Sequence, residues 1–255
     1  MNLNQITPVI LTFNEGANLD RTLQALISFP VVIVLDSGSM DQTEAICSTF
    51  PNVHWHQRPF DSHAAQWNFG LQLIQTTWAL TLDADYFLSE KLLAEILALP
   101  DDPTVNGFYI PFIYQIHGQS LHRSLLPPRL ALFEKAQGTY VQDGHTQDCR
   151  LNGEHAKLQN PFFHDDRKPF SRWWAAQEKY TDLEIEKLTT TSWAELKIQD
   201  RLRKCIFIAP IAVVFYNLLY HRSFLDGRAG LIYTGQRFLA EALLSFKLLL
   251  AWLRA

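Results

Sequence analysis

Short apolar runs alternate with helix-like segments through the first hundred residues. Four runs have the composition of strands. They are Thr7–Phe13, Val31–Asp36, Val53–Gln57 and Thr77–Leu82. Three other segments carry the pattern or start signal of a helix. They are Glu15–Ser28, His63–Gln75 and Ser89–Leu97. Nearly continuous apolar strands that alternate with helices predict an α/β fold, with a mostly parallel sheet and helices on both faces.

Polar side chains follow each of these strands at the point where the strand ends. Because the carboxyl ends of parallel strands meet at one edge of a sheet, and ligands bind there, we expect these side chains to share a site. They are Asn14 and Glu15 after the first run, Asp36 and Ser37 after the second, Arg58 after the third, and Asp83 and Asp85 after the fourth. Ser39 or Asp41 is expected to cap the helix after the second strand.

Asp83 and Asp85 give the strongest chemical signal. Two carboxylates that stand two residues apart, directly after a buried strand, can bind a hard divalent cation such as Mg²⁺ or Mn²⁺. Such a cation neutralises a diphosphate leaving group. The alternative interpretation is a polar turn without a ligand. The buried run TWALTL before the pair favours the cation site.

The pattern changes in the second half of the chain. Gly107–His117, Ser120–Arg123 and Arg129–Phe133 have strand composition, and the chain from Ser171 to about Lys204 has helical composition. We therefore predict an α/β catalytic domain over residues 1–170 and a helical region over residues 171–255.

The end of the chain is apolar and basic. Cys205–Tyr220 carries no formal charge, but it is shorter than the roughly 20 residues that a spanning helix needs. From Arg201 to Ala255 there are eight Lys and Arg residues and two acids. These features predict a segment that lies on or dips into the cytoplasmic leaflet of a membrane, as a peripheral or monotopic attachment. A buried core helix or a dimer helix is the alternative.

The composition limits the classes of protein that remain. With 255 residues, 47% of them hydrophobic and 19% charged, the chain has ample material for a packed core. A net charge of −4 gives no case for nucleic acid binding. Three scattered cysteines fit a reducing compartment, and the N-terminus lacks a basic start followed by an apolar run. We therefore expect the cytoplasmic face of the inner or plasma membrane.

Four stretches resemble a known family. The stretches TPVILTFNEGANLDRTL, VVIVLDSGSMDQT, AAQWNFGL and TWALTLDADYFLSE are similar to the family 2 glycosyltransferases, which have the GT-A fold. The chain is most similar to the branch that extends lipopolysaccharide cores and related lipid-linked glycans. This resemblance implies inverting transfer of a sugar from a nucleotide-diphosphate donor, UDP-type by default, to a lipid-linked acceptor.

The resemblance also implies roles for the residues at the strand ends. Thr12, Asn14 and Glu15 would line the nucleotide pocket, Asp36 and Ser37 would face the base or ribose, and Arg58 would lie beside the nucleoside. Asp83 and Asp85 would serve the ribose, the diphosphate and the metal.

The catalytic base is expected in the second half of the chain. An inverting transferase needs a carboxylate that takes the proton of the acceptor hydroxyl. The resembling branch often has His-Glu here, whereas this chain has His145 followed by Thr146. Asp143 is our first choice for the base and Asp148 the second, with His145 as a phosphate contact or a group that orients the acid.

A polar cluster follows at His164-Asp165-Asp166-Arg167-Lys168. His164 and Arg167 could contact the diphosphate through charge-assisted hydrogen bonds. An exposed loop with local ion pairs is the alternative.

Two other functions remain open at this point. A nucleotidyltransferase also uses carboxylates and a divalent cation, but it would favour a basic, Gly-rich loop after the first strand, and FNEGANLD has one Gly and no Lys. A non-catalytic membrane scaffold would keep the fold. The intact Asp83 and Asp85 pair argues against a scaffold, and the absent His-Glu pair argues for it.

Overall fold

A computed structural model describes residues 1–123, 127–143 and 146–254. The chain divides into two compact units. The first comprises Met1–Gln115 and Leu125–Arg167, and the second comprises Ile116–Ser124 and Lys168–Ala255. The predicted domain boundary at residue 170 stays a prediction.

The first unit contains most of the strands and four short helices. Its strands are β1 (Ile6–Thr12), β2 (Val32–Asp36), β3 (Val53–Gln57), β4 (Trp78–Asp83), β5 (Tyr86–Leu88), β6 (Gly107–Ile110), β7 (Phe112–Ile116, which ends at the unit boundary), β9 (Arg129–Glu134), β10 (Gly138–Asp143), β11 (Thr146–Leu151), β12 (His155–Lys157) and β13 (Phe162–His164). Its helices are α1 (Leu19–Gln24), α2 (Thr43–Cys47), α3 (His63–Leu73) and α4 (Glu90–Ala98).

A seven-stranded sheet forms the centre of this unit, in the order β12-β6-β9-β4-β1-β2-β3. The β1–β2, β1–β4, β2–β3 and β6–β12 pairs are parallel, whereas β9 runs antiparallel to both β4 and β6. The predicted mostly parallel α/β sheet is therefore confirmed, with one antiparallel strand at its centre.

Alternate side chains of the inner strands β1, β2 and β4 enter two separate cores. On β1, Ile6 and Ile10 join a cluster with α1, α2 and α4, whereas Val9 joins a cluster with α3. This alternation is the period-2 geometry of a strand, and it places helices on both faces as predicted. Gly70 of α3 permits the close approach, because a Cβ there would lie 2.8 Å from Val9 Cγ1.

Two smaller strand groups flank the main sheet. In one group, β13 pairs antiparallel with β5 and parallel with β7. The other is the antiparallel β10–β11 hairpin, whose register runs from Gly138↔Leu151 to Asp143↔Thr146. The pairing of β13 with β5 matters for the site, since it carries the residues after Phe162 to the chain just beyond Asp83.

Two local expectations are wrong, and a third holds in part. Gln42 is the N-cap residue of α2 and makes no side-chain cap, but Asp41 Oδ1 accepts from the N–H of Thr43, the first residue of α2, at 3.0 Å. Ser39 bonds to the loop after β1 instead. The strand expected at Ser120–Arg123 is reduced to β8 (Gln119–Ser120) in the second unit. The helix expected from Ser171 to Lys204 is interrupted between Thr190 and Ile198.

The second unit is helical after its short strand. Its helices are α5 (Phe170–Thr190), α6 (Ile198–Lys204), α7 (Ile208–Phe215) and α8 (Gly227–Arg254), with a π-helical turn at Tyr216–Tyr220 and a 3₁₀ turn at Ser223–Asp226. Among the described residues, no single helix has both the length and the apolar character to cross a membrane. One bent pair, Ile208–Tyr220 with Ser223–Leu253 at 73°, meets these criteria only when taken together.

Candidate functional site

The strand register brings the predicted strand-end residues to one edge of the main sheet. Thr12 pairs with Asp36 across β1 and β2, and Leu11 pairs with Asp83 across β1 and β4. Since neighbouring strands lie about 4.8 Å apart, the ends of these three strands form a continuous rim. Arg58 joins the same rim, because its backbone N–H donates to the carbonyl of Asp36 at 2.9 Å.

Asp36 organises the loop after β2. The side chain is fully buried. Its carboxylate accepts hydrogen bonds from Thr12 Oγ1 at 2.8 Å, from the Gly38 N–H at 2.9 Å, and from both the N–H and the hydroxyl of Ser39. Gly38 has a φ of +92°, which a residue with a side chain rarely adopts. Asp36 thus shapes the rim, and its predicted contact with a base or ribose stays a prediction.

Asn14 and Glu15 form the facing loop after β1. Asn14 has a φ of +56°. Its N–H donates to Ser39 Oγ at 2.7 Å, and its Oδ1 accepts from the Met40 N–H at 2.9 Å. The Glu15 N–H donates to Thr43 Oγ1 at 2.9 Å. The loops after β1 and β2 therefore hold each other, and the left-handed backbone of Asn14 is fixed from both sides.

Arg58 lies in a hydrogen-bonded group at the end of β3. Its guanidinium contacts both oxygens of Asp61, at 2.8 and 2.6 Å, and donates to Gln66 Oε1 at 2.7 Å. Gln66 in turn donates to Ser37 Oγ at 2.9 Å. The hydrogen bond from Arg58 holds the pKa of Asp61 well below its usual range. This group connects Arg58 and Ser37, two of the predicted donor-binding residues.

Asp83 is paired with an arginine from the antiparallel strand. Arg129 Nη1 lies 2.6 Å from Asp83 Oδ2. Burial acts to lower the pKa of Arg129, but the charge of Asp83, its hydrogen bond and the nearby Tyr140 and Tyr86 together outweigh burial and raise it, so the guanidinium is charged. Asp83 keeps 37% of its side chain exposed, so its carboxylate is open to solvent on one side.

Asp85 contacts the predicted donor-binding histidine. His164 Nε2 lies 3.1 Å from Asp85 Oδ2, and both side chains are mostly buried. Burial acts to lower the pKa of His164, but the charge and hydrogen bond of Asp85, together with the charges of Asp166 and Asp83, outweigh burial and raise it. Thr22 of α1 donates to the carbonyl of Ala84 at 2.7 Å. The chain between the two aspartates is thereby held against the first helix.

The residues after His164 are bonded to the start of α1. Asp165 is fully buried, and its Oδ2 contacts Arg21 Nη1 at 3.1 Å and Arg167 Nε at 3.0 Å. Asn18 donates to Asp166 Oδ1 and accepts from the Arg167 N–H, each at 2.9 Å. Arg167 is the last residue of the first unit, which also contains Asp83 and Asp85. About half of its side chain is exposed.

The candidate base residues lie on the β10–β11 hairpin. Asp148 is exposed on β11, opposite Val141. His145 and the side chain of Asp143 lie outside the described residues. Asn68 of α3 holds the hairpin through two hydrogen bonds of 2.9 Å with the backbone of Tyr140. The assignment of the base among these residues stays a prediction.

Two carboxylates are available for a cation, and they do not form a complete site. Among the described residues, no group of three or more His, Cys, Asp or Glu side chains could hold a metal ion. Mg²⁺ is usually bound by one or two carboxylates together with substrate phosphates and water, so Asp83 and Asp85 fit a cation that arrives with a diphosphate.

The sequence offers Arg129, within PPRLALF, as an acceptor or phosphate contact or as a surface strand charge, and it does not predict the pairing of Arg129 with Asp83. The β4–β9 register pairs Trp78 with Glu134 and Leu80 with Leu132, and its continuation places Arg129 opposite Asp83. This position depends on β9 running antiparallel beside β4, which the apolar run of β9 alone does not indicate. Arg21 and Asn18 were missed for the same reason, since their partners are more than 140 residues away along the chain.

Residues 7–150 match the family model described as "Glycosyl transferase family 2". Over 104 residues, the chain is 30% identical to the lipopolysaccharide core biosynthesis glycosyltransferase LpsC of Rhizobium meliloti, a match that covers 38% of each protein. Over 129 residues, it is 26% identical to an uncharacterized glycosyltransferase of Rickettsia typhi, which covers 49% of this chain and 44% of that one. These matches therefore span less than half the length of the curated relatives.

Solved structures share the fold. A crystal structure of S. aureus TarS in complex with UDP-GlcNAc superposes with a TM-score of 0.53 at 12% sequence identity, covering 94% of this chain and 89% of that one. A crystal structure of the same protein with UDP has a TM-score of 0.50, also at 12% identity, with the same coverage. At this identity the likeness establishes the fold, which is the GT-A type that the sequence predicts.

Proposed function

Because this chain belongs to glycosyl transferase family 2, we propose that it transfers a sugar from a nucleotide-diphosphate sugar to a lipid-linked or lipopolysaccharide-type acceptor. The observation that supports this most is the placement of Asp83 and Asp85. Asp83 ends β4 and Asp85 follows it, at the rim where the loops after β1 and β2 meet. Ligands of open α/β sheets bind at this edge.

The donor is proposed to bind across the loops that Asp36 organises. Thr12, Asn14, Glu15 and Ser37 line these loops, and Arg58 closes them at the end of β3. UDP-type donors are favoured because TarS structures that contain UDP-GlcNAc and UDP have the same fold. A pre-formed loop reduces the ordering that binding requires, so its fixed hydrogen bonds suit recognition of a nucleoside.

A divalent cation is proposed to assist the departure of the nucleotide. Asp83 and Asp85 would hold it, and when bound it would supply positive charge to the leaving diphosphate. Arg167, whose side chain is about half exposed, is proposed to add a charge-assisted hydrogen bond to the same phosphates. His164 orients Asp85 through the 3.1 Å contact.

Transfer with inversion needs a general base on the side of the sugar opposite the leaving diphosphate. The acceptor hydroxyl would attack the anomeric carbon while its proton passes to a carboxylate, and the bond from that carbon to the diphosphate oxygen would break. Asp143 and Asp148 are the proposed bases, on a hairpin that α3 anchors. His145 is proposed to contact phosphate or to orient the acid.

A membrane-bound acceptor is supported by the surface of the second unit. Of the 26 exposed large hydrophobic side chains in the described part of the chain, 21 lie between Phe170 and Leu253. Exposed apolar side chains at this density are typical of interaction surfaces. Basic residues outnumber acids from Arg201 onward, which suits an anionic lipid surface. We therefore propose peripheral or monotopic attachment at the cytoplasmic face of a membrane.

A thermal-shift screen tests the donor. The protein is melted with a panel of nucleotide sugars, each with Mn²⁺, with Mg²⁺ or with chelator. A bound donor stabilises the native state by about 2.7 kcal/mol at a hundredfold excess over its dissociation constant, so a true donor raises the melting temperature. We expect a UDP-sugar to give the largest shift and chelator to reduce it. A panel without any shift would contradict the proposal.

The acceptor is tested separately with the donor that the screen identifies. Radiolabelled sugar is incubated with the protein and either bacterial membrane lipid extract or water-soluble glycans. Label that moves into the organic phase supports a lipid-linked acceptor. Label that appears only in soluble glycans would contradict the lipid-linked acceptor and leave the transferase activity intact.

A further inference from the structure

Arg129 and Asp83 form a short ion pair between the start of β9 and the end of β4. The two atoms that face each other, Nη1 and Oδ2, lie 2.6 Å apart. Arg129 is the first residue of β9, and the β4–β9 register directs it to the end of β4. Backbone pairing on both strands therefore fixes where the two side chains meet.

Aromatic rings hold the guanidinium in this position. Its carbon lies 5.4 Å from the ring centre of Trp67 and 5.9 Å from that of Tyr86. Both distances are within the range of cation–π attraction. Only 20% of the Arg129 side chain is exposed, and its buried Nη2 has no hydrogen-bond partner among the described residues. A buried donor without a partner is costly, so Nη2 can donate a hydrogen bond to an anionic or carbonyl oxygen of a ligand.

Each of the two proposed cation ligands therefore already contacts a basic side chain. Arg129 contacts Asp83, and His164 contacts Asp85 at 3.1 Å. A divalent cation on Asp83 would lie within a few ångströms of a guanidinium that cannot lose its charge. Like charges at such a distance repel strongly in a partly buried site.

We infer that Arg129 is a built-in counter-ion of Asp83 that prevents the divalent cation from binding until a nucleotide diphosphate is present. This inference rests on the proposed function, because it assumes that Asp83 and Asp85 are the cation ligands. The diphosphate adds negative charge between the cation and the guanidinium, which removes their repulsion and offers an oxygen to Nη2. Arg129 thus acts as a positioning residue that makes cation binding depend on the donor.

Coupling between the two ligands is the measurable consequence. By linkage, UDP raises the affinity for the cation by the same factor by which the cation raises the affinity for UDP. Removal of the Arg129 charge should strengthen cation binding without nucleotide and should shrink the coupling factor. If Arg129 had a purely structural role, removal of its charge would weaken the binding of both the cation and UDP, with no opposite effect on cation binding alone.

Mn²⁺ titration followed by electron paramagnetic resonance tests this inference. The full-length protein is titrated with and without UDP, as wild type, Arg129→Met, Arg129→Lys and Arg150→Met. Arg150 is the matched control, since it is an exposed strand arginine on β11. Circular dichroism and thermal melting establish that each variant is folded, and Arg129→Lys keeps the charge if the Met variant does not fold.

We expect wild type and Arg150→Met to bind Mn²⁺ weakly alone and at least about tenfold more tightly with UDP. Arg129→Met should bind Mn²⁺ alone about tenfold more tightly than wild type, with little further gain from UDP. Arg129→Lys should stay close to wild type. Unchanged or weaker Mn²⁺ binding by folded Arg129→Met would overturn the inference. If wild type bound neither UDP nor Mn²⁺ with UDP, the proposed function would fail instead.

Discussion

His164 Nε2 lies 3.1 Å from Asp85 Oδ2, although 79 residues separate them along the chain. The contact exists because β13 pairs antiparallel with β5, which sets His164 opposite Tyr86. A polar cluster near residue 165 and an aspartate pair near residue 84 thereby become parts of one site. Asp165 continues the contact, since its N–H donates to the Asp85 carbonyl at 3.2 Å.

We predict that Asp165→Asn strongly destabilises the first unit. Asp165 is fully buried and receives contacts from Arg21 and Arg167, so its loss of charge leaves a partly buried Arg21 guanidinium without its counter-ion. Breaking a buried pair on one side costs about 3–5 kcal/mol. Urea unfolding followed by circular dichroism measures the change in the free energy of unfolding.

Asp101→Asn is the control for this variant. Asp101 pairs with the N-terminal ammonium, but 72% of its side chain is exposed. Exposed charges usually change stability by no more than about 0.5 kcal/mol. Equal effects of the two substitutions would show that the contacts of Asp165 are not stabilising.

We predict that apolar side chains of the second unit bind an anionic membrane. Phe215 and Leu219 lie four residues apart and are 59% and 67% exposed. Burial of one such side chain in lipid contributes about 1.5–3 kcal/mol. The double variant Phe215→Glu with Leu219→Glu should therefore reduce sedimentation with phosphatidylglycerol-containing vesicles at least about tenfold.

A matched variant in the first unit controls for the loss of apolar surface alone. Ile27 and Leu97 are each 49% exposed, and Glu at both positions should leave vesicle binding unchanged. The membrane proposal fails if wild type stays in the supernatant with every vesicle composition, or if both double variants reduce binding equally.

The cysteines are predicted to differ sharply in reactivity. Burial, with nearby Asp36 and Glu44, raises the pKa of Cys47 to about 12, and burial also raises the pKa of Cys149 to about 12. A raised pKa means that the thiol stays protonated until the pH approaches that value, so little reactive thiolate exists between pH 7 and 9. Cys205 is exposed.

At pH 8, one thiol per molecule of native protein should therefore react rapidly with a chromogenic disulfide reagent. The other two thiols should react only after unfolding. Cys205→Ser should remove the fast phase. Fast labelling of Cys47 or Cys149 in folded protein would contradict the burial of these two thiols.

The two candidate bases can be distinguished by the step that they affect. Loss of the base should lower kcat by about 10²–10⁴-fold and leave donor affinity unchanged, because the base acts only on the acceptor proton. We predict this result for Asp143→Asn or for Asp148→Asn, and a much smaller loss for the other. If both variants kept full activity, the base would be a different residue.

The sequence predicted the parallel strands well because each is defined locally. The runs that became β1, β2 and β4 are apolar along most of their length, as strands covered on both faces must be. The run that became β3 alternates instead, with Val53 and Trp55 packed against the core and His54 and His56 between and after them. The bounds of β3 agree with the prediction, and the others shift by one residue. The strand-end residues were then found by position alone, since parallel strands end at a common edge.

Features that depend on pairing between distant segments could not be predicted in this way. The runs that became β9 and β13 have similar composition whichever strand they join, so neither the Arg129–Asp83 pair nor the Asn18–Asp166 contact follows from them. Ser39 and Asp41 looked like helix caps because their side chains favour that role. In the structure, the loop after β1 offers backbone donors at Asn14 and Gly16, which bond to Ser39 Oγ and Asp41 Oδ2. Only Asp41 also reaches the helix, because its Oδ1 accepts from the Thr43 N–H at the start of α2.

The central claim is that the carboxylates after β4 bind the donor through a cation. Isothermal titration of the UDP-sugar that the thermal screen identifies, with Mn²⁺ present, tests it in wild type and in Asp85→Asn. We predict at least a tenfold weaker donor affinity in the folded variant, which corresponds to about 1.4 kcal/mol. Equal affinity in the two proteins, unchanged when the metal is chelated, would contradict the account.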